Sequence, residues 1–176
     1  AETWLYAPDP SAAGVFRALA AGTFFAAHGH LVRKVQLKVF AEGLDRPAIV
    51  GEVIEVRAGV AVKVELEFLV PAQDWEGKPN RVDEIELIGV LPTRSVVLAQ
   101  CPPQSAGPAM SAEVRVEAGG VALRARGRRV VPDGPDLLFY TNPIRVRTAP
   151  AEVTGALPAD AKAVAQAANG FSSHSD

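Results

Sequence analysis

Residues 60–70 read VAVKVELEFLV, and every second side chain in this stretch is apolar. The positions between them carry Lys63, Glu65 and Glu67. Because successive side chains of a β-strand point to opposite faces, this alternation predicts a long antiparallel strand with one packed face and one solvated face. We therefore expect the rest of the chain to supply a sheet around this strand.

Many short stretches elsewhere in the chain are also β-prone, and residues typical of turns separate them. Two short ones lie near the start, at residues 3–7 and 23–27. Further strands are predicted at residues 31–39, 49–56, 60–70, 82–91, 95–99, 112–117, 121–125, 137–140 and 144–147. Gly119-Gly120 fits the tight turn of a hairpin between two of these strands, 112–117 and 121–125. About eight to ten short strands with frequent turns predict a mainly β protein, an antiparallel immunoglobulin-like β-sandwich.

One short helix is predicted before the sandwich. Asp9 fits an N-cap, and Pro10 fits the first helical position, where its missing N–H has no intrahelical acceptor. Gly22 stands where a left-handed residue would end the helix. The apolar positions lie about one helical turn apart, at Val15, Phe16, Leu19 and Ala20. We expect an amphipathic helix over residues 10–21, with Arg17 on its solvated side.

The composition is that of an ordinary folded domain. Hydrophobic residues make up 48% and charged residues 22% of the chain, and the net charge is −2. This charge gives no electrostatic reason to expect nucleic acid or an anionic membrane as a partner. The sequence contains no run of about 18 apolar residues, so it predicts no membrane-spanning helix. Cys101 is the only cysteine, so no disulfide forms within the chain.

His28 and His30 form the most conspicuous candidate site. On a strand, imidazoles two positions apart would project from the same face and could share a metal ion. They supply only two ligands, however, and no Asp, Glu, Cys or further His stands at motif spacing nearby. We therefore considered His28 and His30 as metal ligands and disfavour them, expecting solvated or hydrogen-bonded imidazoles instead.

The other polar groups do not indicate catalysis. Glu84 and Glu86 alternate with apolar residues, which predicts the solvated face of a strand. Four arginines, near Glu113 and Glu117 in the sequence, predict the solvated face of a hairpin: Arg124, Arg126, Arg128 and Arg129. No serine stands in a Gly-x-Ser-x-Gly setting, and Cys101 has no histidine close in sequence. We predict no catalytic and no cofactor-binding residue.

Both flanks of the predicted sandwich resemble a known family. Residues 3–7 read TWLYA, residues 17–26 read RALAAGTFFA, and residues 140–146 read YTNPIRV. These segments resemble the C-terminal part of PHP-superfamily metallohydrolases, above all the CehA/McbA-like branch, which includes carbamate hydrolases. In that family a similar strand and helix close the catalytic domain and lead into a β-sandwich that ends in Thr-Asn-Pro-Ile.

The resemblance implies that the family's catalytic residues lie outside this sequence. Family members bind two or three divalent metals, partly through a Gly-Ser-Asp-x-His segment shortly before the strand that residues 3–7 resemble. His28-Gly29-His30 falls where the family has a Thr/Ser-Gly-Pro-like turn, so no ligand role carries over to it. We expect a fragment whose divalent metals lie only in an upstream PHP-type catalytic domain. A periplasmic or secreted bacterial setting is also implied.

We divide the chain into three predicted regions. Residues 1–30 would be a junction with the upstream domain, 31–149 the sandwich, and 150–176 an alanine-rich, mobile tail with a short helix over residues 159–168.

Three functional hypotheses follow. The leading hypothesis is an accessory β-sandwich of a PHP-type hydrolase acting on phosphoesters or carbamates. It predicts an exposed apolar surface at Trp4, Leu5, Tyr6 and Phe16. The alternative is a stand-alone immunoglobulin-like module that binds a glycan or protein through Gln73-Asp74-Trp75 and Pro102-Pro103. A small metal enzyme using His28 and His30 ranks last.

Overall fold

The computed structural model of the chain describes residues 1–103 and 109–149. Within them it contains one helix and twelve strands. In chain order these are β1 (Glu2–Leu5), α1 (Ala12–Ala21), β2 (Phe24–Ala27), β3 (Lys34–Phe40), β4 (Ala48–Ile49), β5 (Val53–Val56), β6 (Ala61–Leu69), β7 (Glu84–Val90), β8 (Ser95–Cys101), β9 (Met110–Arg115), β10 (Val121–Arg129), β11 (Leu137–Thr141) and β12 (Ile144–Thr148).

The strands form two sheets that share one core. The larger sheet has the order β1-β2-β11-β10-β12-β5, and β7 and β8 extend it because β7 also pairs with β10. The smaller sheet has the order β4-β3-β6-β9. All pairs are antiparallel except β5 beside β12. The structure thus confirms the prediction of a mainly β, antiparallel sandwich with one short N-terminal helix.

Strand β6 lies inside the smaller sheet, between β3 and β9. The apolar positions of its alternating pattern are buried, and they are Val62, Val64, Leu66 and Phe68. They join a single core with buried residues of the larger sheet such as Leu87 and Leu123. Burial of one such side chain contributes about 1.5–3 kcal/mol. The alternation therefore marks the packed face of the sheet, as predicted.

The prediction of one strand over residues 49–56 is wrong, because a turn divides this segment. Gly51 has a φ of 86°, in the left-handed region. A Cβ at this position would lie 2.7 Å from the carbonyl carbon of Gly22, so the close approach of two backbones requires glycine. After the turn the chain changes sheets, since β4 pairs with β3 and β5 with β12.

The predicted hairpin between β9 and β10 is also wrong. Strand β9 pairs with β6 in the smaller sheet, whereas β10 lies in the larger sheet beside β7, β11 and β12. Gly119 and Gly120 have φ values of 100° and 73°. They do form a tight turn, but the turn carries the chain across the core from one sheet to the other.

Helix α1 begins two residues later than predicted, with Ser11 as the N-cap instead of Asp9. The Ser11 hydroxyl accepts a hydrogen bond from the Gly14 amide at 3.0 Å. Asp9 instead accepts from the Ser11 amide at 3.0 Å and from the Arg17 guanidinium at 2.6 Å. Hydrogen bonds from Ser11 lower the pKa of Asp9. Gly22 ends the helix with a φ of 73°, as predicted.

The N-terminal segment is hydrogen-bonded into the larger sheet. Strand β1 pairs with β2, and β2 pairs with β11, with Ala27 opposite Phe139. Strands β1 and β2 thus belong to a sheet that residues 31–149 complete. The domain boundary at residue 30 stays a prediction. The predicted mobile tail at 150–176, with its helix at 159–168, lies outside the described residues.

Candidate functional site

His28 and His30 lie in a tight turn after β2, where the side-chain alternation of a strand does not apply. Gly29 and His30 have φ values of 61° and 57°, and the Leu31 amide donates to the His28 carbonyl at 3.0 Å. The Nε2 atom of His30 lies 2.6 Å from Glu2 Oε1, while His28 is exposed. The strand geometry that would align the two imidazoles on a metal ion is therefore not present.

The part of the chain that the structure describes contains no group of three or more His, Cys, Asp or Glu residues placed to hold a metal ion. The prediction that the chain itself holds no metal or cofactor stays a prediction. Among the same residues, no helix combines the length and apolar content needed to cross a membrane.

A pocket of about 730 Å³ opens beside the histidine turn. Four segments meet there: the start of β1, the turn after β2, the loop between β6 and β7, and the start of β11. Its lining residues are Ala1, Glu2, His28, Gly29, Trp75, Pro135, Asp136, Leu137 and Leu138. The pocket combines an aromatic ring, aliphatic side chains, two carboxylates and an imidazole, so it can offer both apolar contact and hydrogen bonds.

Trp75 forms one wall of this pocket and is 63% exposed. Its ring packs closely over the histidine turn, because a Cβ on Gly29 would lie 3.0 Å from Trp75 Cδ1. The same hypothetical Cβ would lie 3.0 Å from Leu137 Cδ1. Glycine at position 29 thus lets the turn approach both side chains, and its left-handed φ also favours glycine.

The loop that carries Trp75 is fixed by the carboxylate of Asp74, whose side chain is 6% exposed. The Oδ1 atom of Asp74 accepts from the amides of Glu76 and Lys78, each at 2.9 Å. Its Oδ2 atom lies 3.1 Å from Arg129 Nη1. Burial would raise the pKa of Asp74, but the hydrogen bonds from the two amides and from Arg129 outweigh it and hold the pKa below its ordinary value.

Asn80 ties the other end of this loop to the histidine turn. Its amide nitrogen donates to the carbonyls of His30 and Leu31, each at 3.2 Å. Its side-chain oxygen accepts from Arg129 Nη1 at 3.2 Å. Arg129 therefore links Asp74 and Asn80 to β10, and the walls of the pocket are held against one another by side chains.

The arginines of β10 form a ladder with the glutamates of β7. Arg126 lies opposite Glu86 with a 2.5 Å contact, and Arg128 opposite Glu84 with a 3.1 Å contact. The expected glutamate neighbours, Glu113 and Glu117, lie near β10 in sequence only, because β9 belongs to the other sheet. Glu86 is 5% exposed, so the prediction that it is solvated is wrong.

This ladder lines a second pocket of about 360 Å³, together with Gly127, Leu138 and Tyr140. Each of its carboxylates is already in contact with an arginine. Glu84 additionally accepts from the Gln100 side-chain amide at 3.1 Å. Carboxylates held in this way stabilise the pairing of β7 with β10, and neither is placed as a proton donor or acceptor for a substrate.

A third feature is the apolar surface of α1. Phe16 is 71% exposed and Leu19 is 43% exposed. The buried residues of the helix are instead the small Gly14 and Ala18. The large apolar side chains of α1 therefore face solvent, which reverses the usual arrangement of a surface helix.

The neighbouring aromatic residues are partly exposed. Trp4 is 38% exposed and stacks on the buried Phe25, with ring centroids 6.1 Å apart. Tyr6 is half-buried, and among the described residues its hydroxyl has no hydrogen-bond partner. Burial raises the pKa of Tyr6 to about 12, against a smaller lowering effect of the Val35 backbone.

No protein-family model matches this chain, and no curated protein matches it.

Sequence reasoning found some pocket residues but not the pocket. Trp75 was predicted as part of a binding loop and His28 as a rejected metal ligand, in separate arguments. Asp136 was not identified at all, because its surroundings in sequence, PDGPDLL, read only as a turn before a strand. The Gly29 position was the available signal, since a glycine between two histidines indicates a turn where the backbone comes close to other groups.

Proposed function

We propose that this chain is a non-catalytic accessory β-sandwich that packs against the catalytic domain of a PHP-type metal-dependent hydrolase. The exposed face of α1 is the observation that supports this role. Phe16 and Leu19 are three positions apart, so they lie on one side of the helix. A contiguous apolar surface on a folded domain is typical of a site that another protein surface covers.

The orientation of α1 strengthens the argument. A helix that only covered its own sheet would place Phe16 and Leu19 inward, since burial of each would contribute about 1.5–3 kcal/mol. Here the buried positions are instead Gly14, which lies against Asp9 in the preceding turn, and Ala18. Burial of Phe16 and Leu19 can therefore still contribute free energy when a second domain covers them.

The resemblance supplies the kind of partner. Residues 3–7 and 17–26, which resemble the segment that closes the catalytic domain in PHP hydrolases, contain the exposed Trp4 and Leu19, and Phe16 immediately precedes the second segment. Two or three divalent metals bound by that partner would carry the hydrolysis of a phosphoester or carbamate. The present chain would contribute surface contacts and shape near the catalytic domain.

The test begins with the polypeptide encoded immediately upstream of Ala1, where we expect a Gly-Ser-Asp-x-His segment. The upstream domain, expressed separately, should bind this chain, and the Phe16→Ser/Leu19→Ser variant should weaken the affinity about ten-fold or more. Val97→Ser is the matched control, because Val97 is a 52% exposed apolar residue on β8. Binding that is indifferent to Phe16 and Leu19, or unaided hydrolysis of a phosphoester by this chain, would refute the proposal.

A stand-alone binding module is the second candidate function, and a different observation favours it. Trp75 is exposed on a loop that Asp74 and Asn80 hold in place, which is typical of a preformed contact surface. The two candidates differ in the surface used: the accessory role depends on α1, and the binding role on Trp75.

A further inference from the structure

We infer that the pocket beside the histidine turn binds a neutral oligosaccharide, with Trp75 as the stacking surface. This inference rests on the second candidate function and names its site and ligand class. It does not depend on α1. The helix joins Leu5 to Phe24 at one end of the β1–β2 pair, while Glu2 and His28 bring the pocket to the other end.

The first argument is the fixed position of an exposed aromatic ring. An indole that is 63% exposed gives up hydrophobic burial, yet the loop that carries it is held by Asp74, Asn80 and Arg129. Because these contacts already restrict the loop, a ligand that stacks on Trp75 would lose little free energy to ordering it. Exposed tryptophans on rigid supports are common among residues that dominate binding energy.

The second argument is the chemistry around the ring. Sugar rings have an apolar face of C–H groups that packs on an aromatic plane, and hydroxyls at their edge that need hydrogen bonds. The pocket offers Trp75 and Leu137 for the first, and His28 and Asp136 for the second. A volume of about 730 Å³ lies within the range of small-molecule sites, about 300–1,000 Å³.

The charges at the pocket favour a neutral ligand. The Oδ2 atom of Asp136 lies 3.6 Å from Arg128 Nη1, and Glu2 Oε1 lies 2.6 Å from His30 Nε2. Each carboxylate thus has a cationic or hydrogen-bonding neighbour, which reduces the attraction for a free cation. Carboxylate oxygens can accept more than one hydrogen bond, so both remain able to bind hydroxyl groups.

The experiment uses the intrinsic fluorescence of Trp75. The chain has two tryptophans, so Trp4→Phe leaves Trp75 as the only one. This variant would be titrated with cellotetraose, xylotetraose, maltotetraose, mannotetraose and chitotetraose. We expect a saturable shift in the emission of Trp75 with at least one of them.

Calorimetry on the wild-type chain and its variants would then locate the site. Trp75→Ala should weaken the affinity for that tetrasaccharide about ten-fold or more, and Asp136→Ala should weaken it as well. Phe16→Ser should leave it unchanged, and circular dichroism would verify the fold of each variant. Binding that Trp75→Ala does not affect would refute the inference, as would a response to apolar or charged peptides and to no sugar.

The two tests depend on different side chains, although Ala1, where an upstream domain would join the chain, also lines the pocket. Loss of sugar binding in Trp75→Ala with intact binding to an upstream domain would support both proposals. Failure of every tetrasaccharide to bind would overturn this inference. It would have no bearing on the test of Phe16 and Leu19 against an upstream domain.

Discussion

Gly127 of β10 lies directly opposite Phe139 of β11, with the phenyl ring against the glycine backbone. A Cβ at position 127 would lie 2.8 Å from Phe139 Cδ1 and closer still to Cε1. Phe139 is fully buried among close-packed core side chains, so its ring can move away only by displacing them. The absence of a side chain at Gly127 is therefore a packing requirement of the larger sheet.

We predict that Gly127→Ala lowers the free energy of unfolding by about 1–3 kcal/mol, because the added methyl group overpacks the core. Gly89→Ala in β7 is the matched control. Its nearest side-chain atoms would lie 3.4 Å from the new Cβ, an ordinary contact. Urea denaturation of both variants measures the difference, and equal stability of the two would contradict the packing argument.

The ladder between β7 and β10 predicts unequal effects for two arginines. Arg126→Ala would leave Glu86, which is 5% exposed, without its cation, and we expect a loss of about 1–3 kcal/mol. Arg128→Ala removes the partner of Glu84, whose side chain is already 29% exposed. The free energy of unfolding should therefore fall by less than about 1 kcal/mol. Equal midpoints in urea for the two variants would show that burial of Glu86 does not matter.

Tyr6 predicts a loss of stability in alkali. The phenol of an unfolded chain titrates near pH 10, whereas burial raises the pKa of Tyr6 to about 12 in the folded chain. The folded state then binds more protons between these values, so the free energy of unfolding falls as the pH rises from 10 to 12. Tyr6→Phe should lack this decline. The variant should differ from the wild type by less than about 1 kcal/mol at pH 7, because among the described residues the hydroxyl makes no hydrogen bond of normal geometry.

The control for this prediction is Tyr140→Phe, since Tyr140 is 39% exposed and the chain has only these two tyrosines. Denaturation at a series of alkaline pH values is the measurement. If the decline in stability persists in Tyr6→Phe and disappears in Tyr140→Phe, it comes from Tyr140 and the prediction for Tyr6 is wrong.

Asp74 predicts acid loosening of the loop that carries Trp75. Its pKa is lowered in the folded chain, so the unfolded chain binds more protons and the contribution of Asp74 to stability is lost as the pH falls below about 3.9. In the Trp4→Phe background, the fluorescence anisotropy of Trp75 should drop in this range. Asp74→Ala should show the low anisotropy at neutral pH already, and Asp45→Ala, at an exposed position, should behave as the wild type.

The sequence was informative where the determining interaction is local. The alternation of residues 60–70 depends only on which side of one strand is buried, and β6 follows it. The left-handed Gly22 that ends α1 is likewise a local requirement. The N-cap was misplaced by two residues because Asp9 and Ser11 are both favourable caps, and in the structure the Ser11 hydroxyl caps the helix while Asp9 contacts Arg17.

The sequence was not informative where two distant segments decide the outcome. The alternation in residues 112–117 and 121–125 is the same whether these strands pair or face each other across the core, so the hairpin was wrongly predicted. The break at Gly51 depends on the approach of Gly22, a contact between segments far apart in the chain. The pocket combines Glu2, His28, Trp75 and Asp136 from four segments, and no local pattern connects them.

The pairing of β2 with β11 also determines when the larger sheet can be completed. Residues 25–27 meet their partners on β11 only after residues 139–141 have been synthesised. At about 5–20 residues per second, this interval lasts roughly 5–20 s. Throughout it β2 can pair with β1 on one side only, and its other edge lacks a partner, so the last strands to emerge complete the sheet for the first.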